Sequence, residues 1–160
     1  MRFYGYAVDC FPTHFAWMPQ QPITKPPNHQ TTNMTTGYLQ HDFGKRIKRY
    51  VQTMDLKDDE ELIRRYCEAH DEIHARPEIL AGMREVGILE MELYRVGDRV
   101  VMIVDTPEDF DWDSAMSRLA GLPGQADWEA YVAQFQQCSP TDTSDQKWKM
   151  MDRIFRIYDK

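Results

Sequence analysis

Ile88-Leu89-Glu90-Met91-Glu92-Leu93-Tyr94, then Gly97-Asp98, then Arg99-Val100-Val101-Met102-Ile103-Val104, reads as two β-strands joined by a tight turn. Leu89, Met91 and Leu93 alternate with Glu90, Glu92 and Tyr94, the period of two that puts a buried face opposite a solvated one. Gly97-Asp98 supplies the residues a two-residue hairpin connection requires. Upstream, Ile47 to Met54 alternates as a strand around Tyr50 and Val51, and the acidic run Asp55 to Glu60 leads into a helix expected from about Asp59 to Ala75. Leu62, Tyr66, His70 and His74 recur every four residues along it, in one stripe. Pro77 interrupts, and Glu78 to Val86 forms a second helical piece before Gly87. Downstream, Asp111 to Ala120 and Gln125 to Gln136 carry helical periodicity on either side of Gly121-Leu122-Pro123-Gly124, and Lys149 to Ile157 offers a last strand. The resulting order, β-α-β-β-α-β, predicts an α+β fold of the ferredoxin-like kind, with helices over one sheet face and the other face free for a ligand or a second subunit.

Composition bounds what such a domain can do. The 160 residues carry a formal charge of -7, with a pI near 5.2, so no long-range field draws nucleic acid or an anionic membrane surface. Cys10, Cys67 and Cys138 are odd in number and lack C-x-x-C spacing, which reads as reduced thiols in a cytoplasmic protein rather than a metal or redox site. The aliphatic run Val100 to Val104 is far short of a membrane span, and the N-terminus has no basic flank leading into an apolar stretch. Residues 1–44, rich in Pro, Gln, Thr and Asn, read as a loosely ordered extension, although Phe3 to Val8 could pair as an edge strand. Asn33-Met34-Thr35 matches a glycosylation sequon of a kind that chance supplies often. Residues 45–160 are the expected folded domain.

The residues that speak to function are Tyr66-Cys67-Glu68-Ala69-His70, then Pro77-Glu78, then Gly87 to Tyr94 and Val101 to Val104. Taken in order with Val51 to Met54, Trp128 and Ile154-Phe155, they resemble the L-rhamnose mutarotase family, which includes relatives acting on L-fucose. The resemblance runs from Lys45 to the end of the chain. It implies a homodimeric α/β barrel that interconverts the α and β anomers of a deoxyhexose without cofactor or metal. By the same resemblance His70, in Y-x-x-x-H, is the acid/base group and Tyr66 binds sugar. Trp128 matches the first member of an aromatic pair lining the site, and Met91 stands at the place of a further sugar-contacting tyrosine. The family pattern is departed from at Glu129, where a second tryptophan is usual, at Met91 and His74, and by the additional Ala75 and Arg76 before Pro77.

The chemistry of the residue types agrees. Anomer exchange takes a proton from the C1 hydroxyl, gives one to the ring oxygen, rotates the aldehyde and closes the ring again. Histidine suits both transfers because its unperturbed pKa, about 6.5, lies near working pH. Tyr66, one turn earlier, projects beside it, and Trp128 suits the apolar face of a deoxysugar. Each residue also has a plainer reading: a core histidine, a core tryptophan, a solvated Glu90-Glu92-Tyr94 face, with Glu92 a further candidate proton carrier. His70 and His74 at i, i+4 lack the H-E-x-x-H and neighbouring cysteine of a zinc site. Two other classes fit the same fold, a cofactor-free oxygenase and a non-catalytic sugar-binding or structural dimer.

Overall fold

A computed structural model describes residues 37–158 apart from residue 140. The expected extension therefore lies almost wholly outside the described residues, as do the strand read at Phe3 to Val8 and the sequon at Asn33. Contacts divide the chain after Gln40. Of the first unit only residues 37–40 are described, without helix or strand, and the second unit begins at His41.

Four strands form one antiparallel sheet: β1 (Ile47–Asp55), β2 (Glu90–Val96), β3 (Arg99–Pro107) and β4 (Lys149–Met150), in the order β2-β3-β1-β4. Helices α1 (Glu60–Ala69) and α2 (Pro77–Glu85) connect β1 to β2, and α3 (Trp112–Ala120), α4 (Gln125–Ala133) and the short α5 (Ser144–Lys147) connect β3 to β4. This is the ferredoxin-like α+β order that the alternating patterns predict. Gly97, at φ +60, supplies the left-handed backbone that lets β2 turn directly into β3.

The register decides which side chains meet the helices. Opposed residues run in three rows on that face: Tyr50, Val104 and Met91; Gln52, Met102 and Leu93; Met54, Val100 and Arg95. Two apolar clusters close over them. One gathers Met54, Leu56, Val100 and Phe135 with Tyr66, Ile79, Trp128 and Val132; the other gathers Met102, Val104, Val86 and Ile88 with Ala115 and Leu119. Met83, Leu93 and Trp148 pack against both, so the core has a seam at mid-sheet.

Helices α1 and α3 begin where the sequence satisfies the free backbone donors. The Asp59 carboxylate accepts from the Leu62 amide at 2.9 Å, and Asp111 does the same for Ser114 at 2.8 Å. Pro77 occupies the first turn of α2, where its missing N–H costs nothing.

Helix α4 ends at Ala133 rather than Gln136, and two boundaries differ more widely from the sequence expectation. Helix α1 stops at Ala69 instead of reaching Ala75, and at its end the His70 ring nitrogen Nδ1 bonds the Tyr66 carbonyl at 2.8 Å. That carbonyl is the one a continuing helix would give to the His70 amide, which bonds Cys67 instead. Asp71 then accepts from the amides of Ile73 and His74, a local turn that competes with helix. The last strand is also shorter than Lys149 to Ile157: β4 pairs with β1 only at Gln52–Met150 and Thr53–Lys149. Ile154, Phe155 and Ile157 beyond it are exposed, since no strand within the described residues lies alongside them.

Gly124 starts α4 at φ +80, and a Cβ there would lie 2.9 Å from Cγ of Glu78 on α2. A glycine is required on both counts. Gly124→Ala should lower the stability of the domain by about 1–2 kcal/mol, read as a lower urea midpoint with an unchanged denaturant slope.

Candidate active site

His70 stands at the C-cap of α1, where the helix hands its stripe to the seam of the core. Because a carbonyl oxygen can only accept, the contact from Nδ1 to the Tyr66 carbonyl places the neutral ring's proton on Nδ1. Nε2 is left with its lone pair, as a base. Burial lowers the His70 pKa below its ordinary value, with the bond to the Tyr66 carbonyl working weakly the other way. The ring is therefore neutral at neutral pH.

Two aromatic rings hold it. The Tyr66 ring centroid lies 4.2 Å from that of His70, tilted by 39°, and Trp128 meets the imidazole edge-on at 5.1 Å. Tyr66 is 4% exposed, and burial raises its hydroxyl pKa well above the usual tyrosine value, so it remains a donor at any working pH. Trp128 is anchored from outside: the Arg76 guanidinium lies 5.2 Å from the Trp128 ring and 5.2 Å from that of Tyr131. Arg76 is the N-cap of α2. The extra residues before Pro77 thus contribute a cation that pins the wall of the site.

Two cavities meet at these side chains. An outer one of about 420 Å³ opens beside the edge strand β2 and is bordered by Arg76, Leu80, Arg84 and Tyr94. An inner one of about 320 Å³ lies between the sheet and α3 and α4, bordered by Gln52, Met102, Met116, Leu119 and Gln136. Tyr66, His70, Met91 and Trp128 line both. The four residues singled out from the sequence are therefore brought together on one seam, contributed by α1, β2 and α4.

The other sequence candidates fall elsewhere. His74 leaves the stripe when α1 ends and turns its Nδ1 to the Asp71 carboxylate at 2.8 Å, on the surface. Glu92 belongs to the opposite face of the sheet, where it accepts from the Tyr94 hydroxyl at 3.0 Å. Glu129, one residue beyond Trp128, accepts from Gln125 Nε2 at 3.2 Å and from the Ser144 hydroxyl at 3.3 Å, at the rim of the inner cavity. Gln52, Gln136 and Arg76 did not stand out in the sequence. Gln52 carried a readable signal: it is a polar side chain in the row Tyr50, Gln52, Met54, Leu56 that otherwise faces the core.

The L-rhamnose mutarotase family pattern matches residues 49–157. An L-fucose mutarotase of Xanthomonas campestris is 36% identical over 111 residues, covering 69% of this chain and 89% of its own. A UPF0734 protein of Dictyostelium discoideum is 27% identical over 114 residues, covering 69% of this chain and 90% of its own. Among solved structures, a dimeric ferredoxin-like protein from an uncultured marine organism aligns with a TM-score of 0.45 at 13% identity, covering 61% of this chain and 84% of its own. Tetracenomycin F2 cyclase from Streptomyces glaucescens aligns with a TM-score of 0.43 at 16% identity, covering 71% and 98%. The family match spans both crossovers and every residue of the seam, and the chain belongs to the L-rhamnose mutarotase family.

Proposed function

We propose that this chain is a carbohydrate isomerase that interconverts the α and β anomers of a 6-deoxyhexose, L-fucose or L-rhamnose, with His70 as the proton carrier. The observation that carries the reading is the His70 imidazole, held neutral with Nδ1 committed to the Tyr66 carbonyl and bordering a cavity between sheet and helices. Family membership and the name of the Xanthomonas relative supply the substrate class.

In this mechanism Nε2 takes the proton of the anomeric hydroxyl as the ring C–O bond breaks. The Tyr66 carbonyl stabilises the imidazolium through Nδ1–H, and the same proton is then delivered to the ring oxygen. Both oxygens are bonded to the anomeric carbon, so a small pivot of one side chain serves both. The Tyr66 hydroxyl donates a hydrogen bond to the sugar, and the Trp128 and Met91 side chains cover its apolar carbons. The open aldehyde rotates about C1–C2 and recloses. Acid, base and positioning suffice for each step, so the reaction draws on neither metal nor organic cofactor.

We further read the chain as a homodimer joined through the sheet face opposite the helices. Val51, Thr53, Val101 and Ile103 are only part-buried there, in rows completed by Glu92 and Tyr94. The exposed Ile154, Phe155 and Ile157 of the tail add further apolar surface that a second copy would cover.

His70→Ala should keep the fold and lower the enzyme-catalysed anomer exchange of the preferred sugar by about 10²–10⁴-fold, measured by saturation-transfer NMR with L-fucose and L-rhamnose in parallel. A wild-type chain that binds either sugar without accelerating exchange would instead be a binding protein. The kcat/KM of the wild type should fall as pH drops, with its midpoint below 6.5, the ordinary histidine value. Stability should follow the same direction: the unfolded chain takes up the His70 proton first, so stability rises with pH between the lowered folded-state pKa and 6.5 and is lost as pH falls through that window. His70→Ala should remove this component of the acid dependence. Light scattering after gel filtration should give twice 18.9 kDa for the wild type, and Ile103→Arg should shift the mass toward 18.9 kDa.

A further inference from the structure

Gln136 is 3% exposed, lines the inner cavity, and its side-chain oxygen Oε1 has no hydrogen-bond partner among the described residues. An unpaired buried acceptor is costly, and one that lines a cavity beside a neutral imidazole is the mark of a group kept for a ligand. Its backbone is fixed on both sides. The Lys57 amide bonds the Phe135 carbonyl at 2.8 Å, the Gln137 amide bonds the Asp55 carbonyl at 2.8 Å, and Gln136 itself bridges Leu56. The side chain is thus launched from the end of β1 with little freedom to find another partner.

Gln52 lines the same cavity from the middle of β1. It is 4% exposed, and its amide makes no hydrogen bond to another described residue. The two amides carry no charge, as suits a neutral polyol, and each presents both a donor and an acceptor after at most a half-turn about its last torsion. Met102, Met116 and Leu119 give the wall an apolar stretch, with Gln125, Glu129 and Ser144 also on its lining. A 6-deoxyhexose has the same division, a methyl group at one corner and adjacent hydroxyls along the other edge.

We propose that Gln136 and Gln52 form a hydroxyl-reading subsite at the inner end of the sugar cavity, and that this subsite sets which 6-deoxyhexose the chain accepts. The inference rests on the mutarotase reading for its rate measurements but not for its binding measurements. L-fucose and L-rhamnose differ in configuration at C2 and C4. With the anomeric carbon at His70, rigid amides at the far end meet one arrangement of those hydroxyls in hydrogen-bonding reach and the other out of it. A site built to pair a hydroxyl rejects a ligand that cannot supply it, since the protein group is then left unpaired.

The test uses the full chain, the variants Gln136→Met and Gln52→Met, and two readouts: anomer exchange by saturation-transfer NMR and calorimetric titration, each with L-fucose, L-rhamnose and their 4-deoxy and 2-deoxy analogues. Gln136→Met should lower kcat/KM for the preferred sugar by about tenfold or more, chiefly through KM, and bring the ratio of the two sugars toward one. The analogue lacking the contacted hydroxyl should lose no further affinity in the variant. The sugar-free Tm of Gln136→Met should be unchanged or higher, because an unpaired buried oxygen has been removed; a purely structural glutamine would lower it. Gln52→Met should shift the sugar ratio in the same sense, which keeps the test valid if one variant fails to fold. Wild-type kcat/KM and an unchanged sugar ratio in both variants would overturn the proposal while leaving the mutarotase reading standing. Wild type that binds sugar but does not accelerate exchange would refute the mutarotase reading, and the binding ratio would still decide the role of Gln136. Absence of both binding and rate with either sugar would overturn both.

Discussion

The bond between the His70 ring and the Tyr66 carbonyl does three things at once. It takes the ring to the Tyr66 carbonyl at the point where α1 ends and its stripe meets the seam of the core. It commits the Nδ1 proton and leaves Nε2 basic. It also holds the imidazole against the Tyr66 ring, with Trp128 closing the other side. Helix length, tautomer and ring orientation are therefore not independent features of this site; a change at any of them disturbs the other two. A longer α1 would have carried His70 into a regular turn with its ring nitrogen unconstrained.

The sheet contributes a different kind of constraint. Its register sets Met91, Met102 and Gln52 on the helix-facing side and Glu92, Ile103 and Val51 on the other. One face can then carry a ligand cavity while the opposite face keeps its own row of part-buried side chains. The cavities exist because the core is built as two clusters around a seam, with Met83, Leu93 and Trp148 spanning both. Methionine and tryptophan suit that place, being long enough to bridge clusters without filling the space between them.

Much of this was legible in the sequence, and the exceptions have physical causes. The hairpin, β1 and the starts of the helices follow from local alternation, turn residues and capping aspartates, which act within a few residues. The end of α1 did not follow, because it depends on where a histidine ring turns, and the pattern Leu62, Tyr66, His70, His74 reads as unbroken helix. The tail misled for the opposite reason: Ile154, Phe155 and Ile157 have the composition of a strand, yet a strand exists only where a partner lies beside it. Tyr66, His70, Trp128 and Met91 were found through resemblance rather than periodicity, and the structure brings them together. Gln52 and Gln136 were missed because burial without a partner is a property of packing, and Arg76 because its role depends on two rings more than fifty positions away.

The shortness of β4 leaves the first part of one edge of β1, from Ile47 to Tyr50, without a neighbouring strand among the described residues. Open strand edges recruit further strands, the route to fibrillar aggregation. Here the exposed stretch is flanked and interleaved by Lys45, Arg46, Lys48 and Arg49, with Arg46 paired to Glu108 and Lys48 tied by its ammonium to the Phe110 carbonyl. Arg49 forks onto the Asp105 carboxylate of β3 at 2.7 and 2.6 Å, so these long side chains are held in place along the strand. The basic run at the start of the folded domain therefore sets charged side chains along this edge, the kind of residue that discourages edge-to-edge pairing.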